Sequence, residues 1–222
     1  MLTPRKQPTQ KRSVATVAAI LEGAAQVLER HGSDGFTTNA IAERAGVSIG
    51  TLYQYYPDKN AVAAALSRAV RAALVERMAG AVEAARGLRL RKGLRLLATA
   101  ALQSDAARPR FARALDALEE HLGLNEEGLA IYRELTAQGA RFLKAKIPGS
   151  SIAELSAAAD DMLAASNALA DAALRRNGVI GDDLVERVVS VSLELLRSHL
   201  QPSPPKKIAS KRYPKTDQSS PL

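Results

Sequence analysis

Residues 36–59 read FTTNAIAERAGVSIGTLYQYYPDK, and this stretch decides the fold of the N-terminal part of the chain. Thr37 is placed to cap one short helix, because a threonine hydroxyl at the N-cap accepts a hydrogen bond from an otherwise unpaired backbone N–H. Gly46 is placed to end that helix, and Ser48 is placed to cap a second one. Two short helices joined by a glycine turn are a helix-turn-helix.

The second helix of this pair carries polar side chains at positions that we expect to face outward. Hydroxyl and amide groups of this kind bind phosphates and the edges of bases. Gly50 has no side chain, so it lets the backbone approach the wall of a groove closely. Lys59 stands at the expected start of the next helix, where its ammonium group suits a phosphate. The expected outward positions are Ser48, Thr51, Gln54 and Tyr55.

The segment resembles the DNA-binding signature of the TetR family of bacterial transcriptional regulators, I-A-x-x-A-G-V-S-x-G-x-L-Y-x-Y-F-x-x-K. The resemblance is specific over about residues 14–62, and beyond them it rests on length and helicity. Tyr56 stands where the family more often has Phe, and Asn60 where it often has Glu. The residues that carry the resemblance are Thr38, Ile41, Ala42, Ala45, Gly46, Val47, Ser48, Gly50, Leu52, Tyr53, Tyr55, Tyr56 and Lys59.

The resemblance implies a homodimeric repressor that binds a palindromic operator on double-stranded DNA and is released by a small-molecule effector. Thr38 and Lys59 are the expected phosphate contacts, and Tyr53 and Tyr55 are expected to help fix the DNA backbone. Asn39 is expected to reach a base edge from the first helix. The residues expected to face the major groove are Ile49, Gly50, Thr51 and Gln54, with Ser48 beside them.

Composition favours an all-α fold. The 222 residues are 46% hydrophobic but only 4% aromatic and are rich in Ala and Leu, which are strong helix formers. There is no cysteine, which excludes disulfides and thiolate chemistry. No apolar run approaches the roughly 20 residues that a membrane span needs, so we expect a cytoplasmic protein.

Charge is concentrated at the two ends of the chain. The net charge is +8, and residues 1–12 contain four basic and no acidic residues, while residues 201–222 contain five basic residues and one acidic residue. The 188 residues between them balance, with 22 of each sign. We therefore predict a flexible basic arm over 1–12 and a disordered basic tail over 201–222. The positive charge of both segments would allow them to contact DNA phosphates.

Between these ends, apolar periodicity predicts a three-helix DNA-binding domain over 13–57 and a helical effector-binding and dimerisation domain over 58–200. A long uninterrupted helix is expected to join the two. Residues that an Ala- and Leu-rich core would not require are the candidates for an effector pocket: Met78, Phe111, His121, Tyr132, Phe142, Met162 and Asn167. Apolar stripes on the last two helices predict a dimer interface: Ile152, Leu155, Ala159, Leu184, Val188, Val191 and Leu195.

Catalysis has no support in the sequence. His31, His121 and His199 lie on three different predicted helices, and no metal-binding spacing joins them. The adjacent acids Glu119 and Glu120 are interpreted as solvated. We expect neither an enzyme nor a cofactor. The alternatives to a repressor are an activator, a ligand-independent architectural DNA-binding protein and, outside DNA binding, a helical protein-interaction module.

Overall fold

The computed structural model describes residues 11–177 and 180–200, together with Thr3, and every regular element within these residues is an α-helix. The fold is therefore all-α over this part of the chain, as predicted. No described helix is both long and apolar enough to cross a membrane. In chain order the helices are α1 (Lys11–His31), α2 (Thr38–Ala45), α3 (Ile49–Tyr55), α4 (Lys59–Ala84), α5 (Leu90–Ala107), α6 (Pro109–Leu122), α7 (Asn125–Lys146), α8 (Ile152–Asn177) and α9 (Asp182–Leu200).

The predicted basic ends fall almost entirely outside the described residues. This applies to the whole tail over 201–222 and to residues 1, 2 and 4–10 of the arm. α1 begins at Lys11, two residues before the predicted start of the DNA-binding domain at residue 13.

The helix-turn-helix forms through the caps that the sequence predicted. The hydroxyls of Thr37 and Ser48 each accept a hydrogen bond from the backbone N–H three residues later, at 3.2 Å and 3.0 Å. Gly46 ends α2 with a φ of +67°, a left-handed conformation that is costly for residues with a side chain. Asp58 caps α4 in the same way as the two hydroxyls, at 2.8 Å.

The helices α1 to α3 enclose an apolar core together with the N-terminal part of α4. Three residues of α6 also pack into it, so this core is not built from the first 57 residues alone. The boundary between residues 57 and 58 stays a prediction, although the core itself continues past it. Its members include Ile20, Leu28, Phe36, Ile41, Leu52 and Val62, with Phe111, Leu115 and Leu118 from α6.

A second apolar core joins the C-terminal part of α4 to α5, α7, α8 and α9. Leu143, Leu155 and Leu184 are each at most 1% exposed and come from three different helices of this core. The predicted capping box opens α8: Ser151 N–H donates to Glu154 at 2.9 Å, and Glu154 N–H donates to the Ser151 hydroxyl at 3.2 Å.

α4 runs unbroken for 26 residues and contributes to both cores. At 1.5 Å per residue its length is about 39 Å. A movement of its C-terminal half is therefore passed to the helix-turn-helix without a flexible joint between them.

α1 and α2 approach each other closely at Gly23. A Cβ atom placed on this residue would lie 2.9 Å from the backbone nitrogen of Ala45 and 3.0 Å from its Cα. Only glycine fits here without displacing α2, because the contact is made by backbone atoms that cannot rotate away.

Candidate functional site

One side of α3 is an accessible part of the helix-turn-helix. Ile49 and Tyr53 are 38% and 41% exposed, although both are large and partly apolar, and Ser48, Gly50 and Gln54 are also exposed. We call these five residues the α3 face. It presents an amide, two hydroxyls and a stretch of bare backbone, which suits the edges and backbone of a nucleic acid.

Tyr55 does not belong to the α3 face, and the prediction that it points outward is wrong. Its side chain is only 9% exposed and packs in the N-terminal core with Leu52. The reason is helix geometry, because residues three apart lie on the same side of a helix and Leu52 is fully buried. Thr51 is half-buried, and its hydroxyl lies 2.8 Å from that of Ser48.

A hydrogen bond joins α3 to the start of α2. The hydroxyls of Thr38 and Tyr53 lie 3.2 Å apart, although the residues are 15 positions apart in the chain. This contact fixes the Tyr53 ring, so the residue has a positioning role as well as an accessible surface. It also places the two hydroxyls side by side, as a shared contact to one phosphate requires.

Asn39 and Lys59 are both exposed. Lys59 is the first residue of α4, and none of the salt bridges in the described part of the chain involves it. Its ammonium group is therefore available to an anion, and the adjacent helix N-terminus favours negative charge as well.

A second site lies inside the bundle formed by α4 to α9. It is a cavity of about 530 Å³ with mainly apolar walls. Six of the seven candidate pocket residues line it: Met78, Phe111, Tyr132, Phe142, Met162 and Asn167.

His121 is not among the lining residues, and its placement in the pocket is wrong. Phe111, Leu115 and Glu119 line the cavity from α6 and are spaced four residues apart. His121 follows Glu119 by two residues and is exposed on another side of the helix.

Charged groups in the cavity wall escaped the sequence analysis. Glu119, interpreted there as solvated, is 9% exposed and accepts hydrogen bonds from the Ser67 hydroxyl at 2.7 Å and from Arg71 Nε at 3.1 Å. A second nitrogen of Arg71 completes the ion pair. Glu120 is exposed, as interpreted. The missed signal was that Glu119 follows the buried Leu115 by four residues and the buried Phe111 by eight, which places all three on one side of a helix.

Asp116 also lines the cavity, and it is reached by solvent. Protein atoms nevertheless surround its carboxyl group closely enough that desolvation raises its pKa. Asp171 raises the pKa further by repulsion, while Arg71 opposes both effects. Among the described residues, Asp116 has no hydrogen-bond or salt-bridge partner.

The dimer interface on α8 and α9 stays a prediction, but most of the residues named for it are buried within the chain itself. Four of its residues are needed by the chain's own core, where they are at most 4% exposed: Leu155, Ala159, Leu184 and Val188. Ile152 and Val191 remain accessible, at 54% and 37% exposed, and Leu195 is half-buried. Each apolar stripe therefore packs mainly against a neighbouring helix of the same chain. Only the residues at its edge remain accessible to a second chain.

The described residues contain no group of three or more His, Asp or Glu side chains placed to hold a metal ion. His199 instead contacts Asp161 across α8 and α9, with 2.7 Å between Nε2 and Oδ2. That contact joins two helices of one bundle.

Comparison with known proteins gives a family match and a set of structural neighbours. Residues 20–66 match the model of bacterial regulatory proteins of the tetR family. This segment contains most of α1, all of α2 and α3 and the start of α4, which build the N-terminal core together with three residues of α6. No curated protein matches the chain.

The solved structures share the whole architecture. A TetR-family transcriptional regulator from Streptomyces coelicolor has a TM-score of 0.63 at 22% identity, over 83% of this chain and 99% of its own. The fatty acid degradation regulator FadR from Bacillus halodurans has a TM-score of 0.66 at 20% identity, over 86% and 97%. FadR from Bacillus subtilis, solved in complex with stearoyl-CoA, has a TM-score of 0.60 at 18% identity, over 83% and 99%.

Proposed function

The chain belongs to the TetR family of bacterial transcriptional regulators, and from this premise we propose that it is a homodimeric repressor of its target promoter. In this proposal each protomer reads one half of a palindromic operator, and a small molecule in the cavity releases the protein from DNA. The observation that carries the proposal is the α3 face, an accessible polar surface held rigidly on a buried apolar core.

The roles within the DNA interface follow from accessibility. Gln54 and the bare backbone at Gly50 enter the major groove, and Ile49 supplies an apolar contact to a thymine methyl group. Thr38, Tyr53 and Lys59 bind phosphates and fix the register of the helix on the duplex. Asn39 reaches a base edge from α2.

Release by an effector requires a physical connection between the cavity and α3, and α4 and α6 supply it. Both helices line the cavity, and both contribute to the N-terminal core. The Arg71–Glu119 ion pair joins them at the cavity wall. A ligand that changes the spacing of α4 and α6 therefore moves the helix-turn-helix.

The ligand must bind more tightly to the conformation that does not fit the operator, because equal affinity for both conformations would shift nothing. The cavity walls indicate a mainly apolar effector. In this respect the site suits molecules with a hydrocarbon body, like the acyl chain of the stearoyl-CoA held by the Bacillus subtilis relative.

The proposed homodimer doubles the small footprint of one helix-turn-helix. Two protomers reach both halves of a palindrome when their recognition helices are one helical turn of DNA apart, about 34–36 Å. The accessible apolar residues Ile152 and Val191, on α8 and α9, are proposed to lie in the interface. Val191→Asp should convert the dimer to monomer in analytical ultracentrifugation, and an unchanged mass would place the interface elsewhere.

The proposal is tested by selecting genomic DNA fragments with the purified full-length protein at physiological salt. Gln54→Ala and a chain truncated after Leu200 are run beside it. A repressor recovers a short inverted repeat near promoters, Gln54→Ala changes the preferred bases, and truncation leaves the repeat unchanged. A specific regulator prefers its site by roughly a thousandfold or more over random duplex.

Two outcomes would overturn the proposal. Binding without sequence preference that is lost on truncation would indicate a nonspecific, tail-driven association, as expected of an architectural protein or an interaction module. Selection of a repeat whose occupancy raises transcription from the adjacent promoter would indicate an activator.

A further inference from the structure

More acidic than basic side chains line the cavity, and these side chains differ in whether they have a charged partner. Two arginines, Arg71 and Arg77, face three acids, Asp116, Glu119 and Asp171. Arg71 is engaged by Glu119, and Asp171 is paired with Arg175, with 2.8 Å between nitrogen and oxygen. Asp116 is left as the lining acid with neither a hydrogen bond nor a salt bridge to any described residue.

The surroundings of Asp116 compensate its negative charge only in part, since Arg71 attracts it. Asp171 on α8 repels it, and Arg71 is already shared with Glu119. Arg77 lies six residues beyond Arg71 on α4, which is about 9 Å along the helix axis. Asp116 and Asp171 are also both exposed, so this pair of carboxylates lies where the apolar cavity meets solvent.

Binding of an anionic ligand at Arg71 is disfavoured by the same arrangement. To bind Arg71 through its full guanidinium it would have to displace Glu119, which would leave a buried carboxylate held by the Ser67 hydroxyl alone. Removing one partner of a buried ion pair is strongly destabilising. The ligand would in addition face the charges of Asp116 and Asp171.

From these contacts we infer that the cavity takes an apolar molecule that carries one cationic amine, and that Asp116 binds the amine. The inference rests on the proposed function, since it names the chemical class of the effector. The hydrocarbon body fills the space between α4 and α8, and the amine lies between Asp116 and Asp171, where solvent enters.

This placement of the amine also explains how the ligand releases the protein from DNA. Asp116 and Glu119 lie one turn apart on α6, so a cation at Asp116 competes with Arg71 for the acidic side of that helix. The Arg71–Glu119 pair that joins α4 to α6 is thereby weakened, and α4 is freed to move with the helix-turn-helix.

The test uses the full-length protein and two probes with the same ten-carbon chain, decylamine and decanoate, at neutral pH and below their micellar concentrations. Affinity is measured by calorimetry. A hydrogen bond to a charged group contributes enough to change affinity about tenfold or more. We therefore expect decylamine to bind at least about tenfold more tightly than decanoate, and Asp116→Asn to remove most of that difference.

Asp183→Asn is the matched control. It removes the same charge from a side chain that is 77% exposed on α9 and outside the cavity, so the affinity for decylamine should be unchanged. Circular dichroism confirms that both variants are folded. Asp171→Asn should weaken amine binding less than Asp116→Asn does, because Arg175 already compensates Asp171.

Three results would overturn the inference. Decanoate could bind as tightly as decylamine or more tightly, or the protein could bind neither probe. The third is an Asp116→Asn variant that retains the full preference for the amine. None of these results alters the DNA fragment selection, so the proposed repressor function would survive them. Conversely, amine binding that depends on Asp116 in a protein that selects no DNA sequence would support the cation site and refute the repressor.

Discussion

Gly23→Ala adds one methyl group at the crossing of α1 and α2, where the structure leaves no space for it. The new carbon would lie 2.9 Å from Ala45 N and 3.0 Å from Ala45 Cα, and α2 can relieve this contact only by moving as a whole. Overpacking of this kind costs about 1–3 kcal/mol. Alanine in place of glycine inside a helix returns about 1 kcal/mol. The net expectation is a protein up to about 2 kcal/mol less stable.

Gly80→Ala is the control that isolates the packing cost. Gly80 also lies inside a helix, but a Cβ atom there would have nothing within 4 Å. This variant should gain about 1 kcal/mol from helix propensity alone. The difference in unfolding free energy between the two alanine variants is therefore the overpacking cost itself, about 1–3 kcal/mol.

Both variants are compared by guanidinium denaturation followed by circular dichroism, and by affinity for the selected operator. Because α2 supports α3 through the contact of Thr38 with Tyr53, a displaced α2 should also weaken operator binding in Gly23→Ala but not in Gly80→Ala. If the two variants gain stability equally and bind the operator alike, the close approach of α1 and α2 described here is incorrect.

Three further predictions concern single charges and one amide. Lys59→Ala should weaken binding to all DNA sequences alike and reduce the slope of log affinity against log salt concentration by about one unit. Lys92→Ala on α5 should leave both the affinity and the slope unchanged. An equal effect of the two substitutions would remove Lys59 from the phosphate contacts. Gln54→Ala should cost about 1–3 kcal/mol at one operator position and relax the base preference there, as measured by competition with single-base operator variants; an unaltered preference would exclude direct readout by Gln54. Since desolvation and then Asp171 raise the pKa of Asp116, its ionisation is unfavourable in the folded protein. Asp116→Asn should therefore increase the unfolding free energy at neutral pH. That gain should disappear as the pH falls through the folded pKa to the ordinary aspartate value of about 3.9, and urea denaturation across this range would contradict the assignment if the gain did not depend on pH.

The helix-turn-helix could be predicted residue by residue because its determinants are local. Each cap is made between residues three apart, and the turn depends on one glycine at Gly46. Such contacts form whenever the neighbouring residues are present. The spacing of Leu52 and Tyr55 is equally local, and it favours the buried position of Tyr55 over the outward one that its hydroxyl group suggests.

The pocket residues were predictable in part because large or polar residues stand out in an Ala- and Leu-rich sequence. Met78, Tyr132 and Phe142 do line the cavity. The ion pair of Arg71 with Glu119 was not predictable, because the two residues are 48 positions apart and each is an ordinary helix-surface residue until α4 and α6 meet.

The sequence by itself determined which segments are helical, where α2, α3 and α8 begin and which family of DNA-binding proteins the chain resembles, because periodicity, caps and turn residues act over three or four positions. Only the tertiary structure decided what each apolar stripe packs against. A stripe such as that of Leu184 and Val188 is equally suited to a neighbouring helix or to a second protomer, and the chain's own core occupies it. The cavity and the place of Asp116 in its wall likewise exist only once six helices surround one space, because an interior volume is a property of how helices are arranged and not of any one of them.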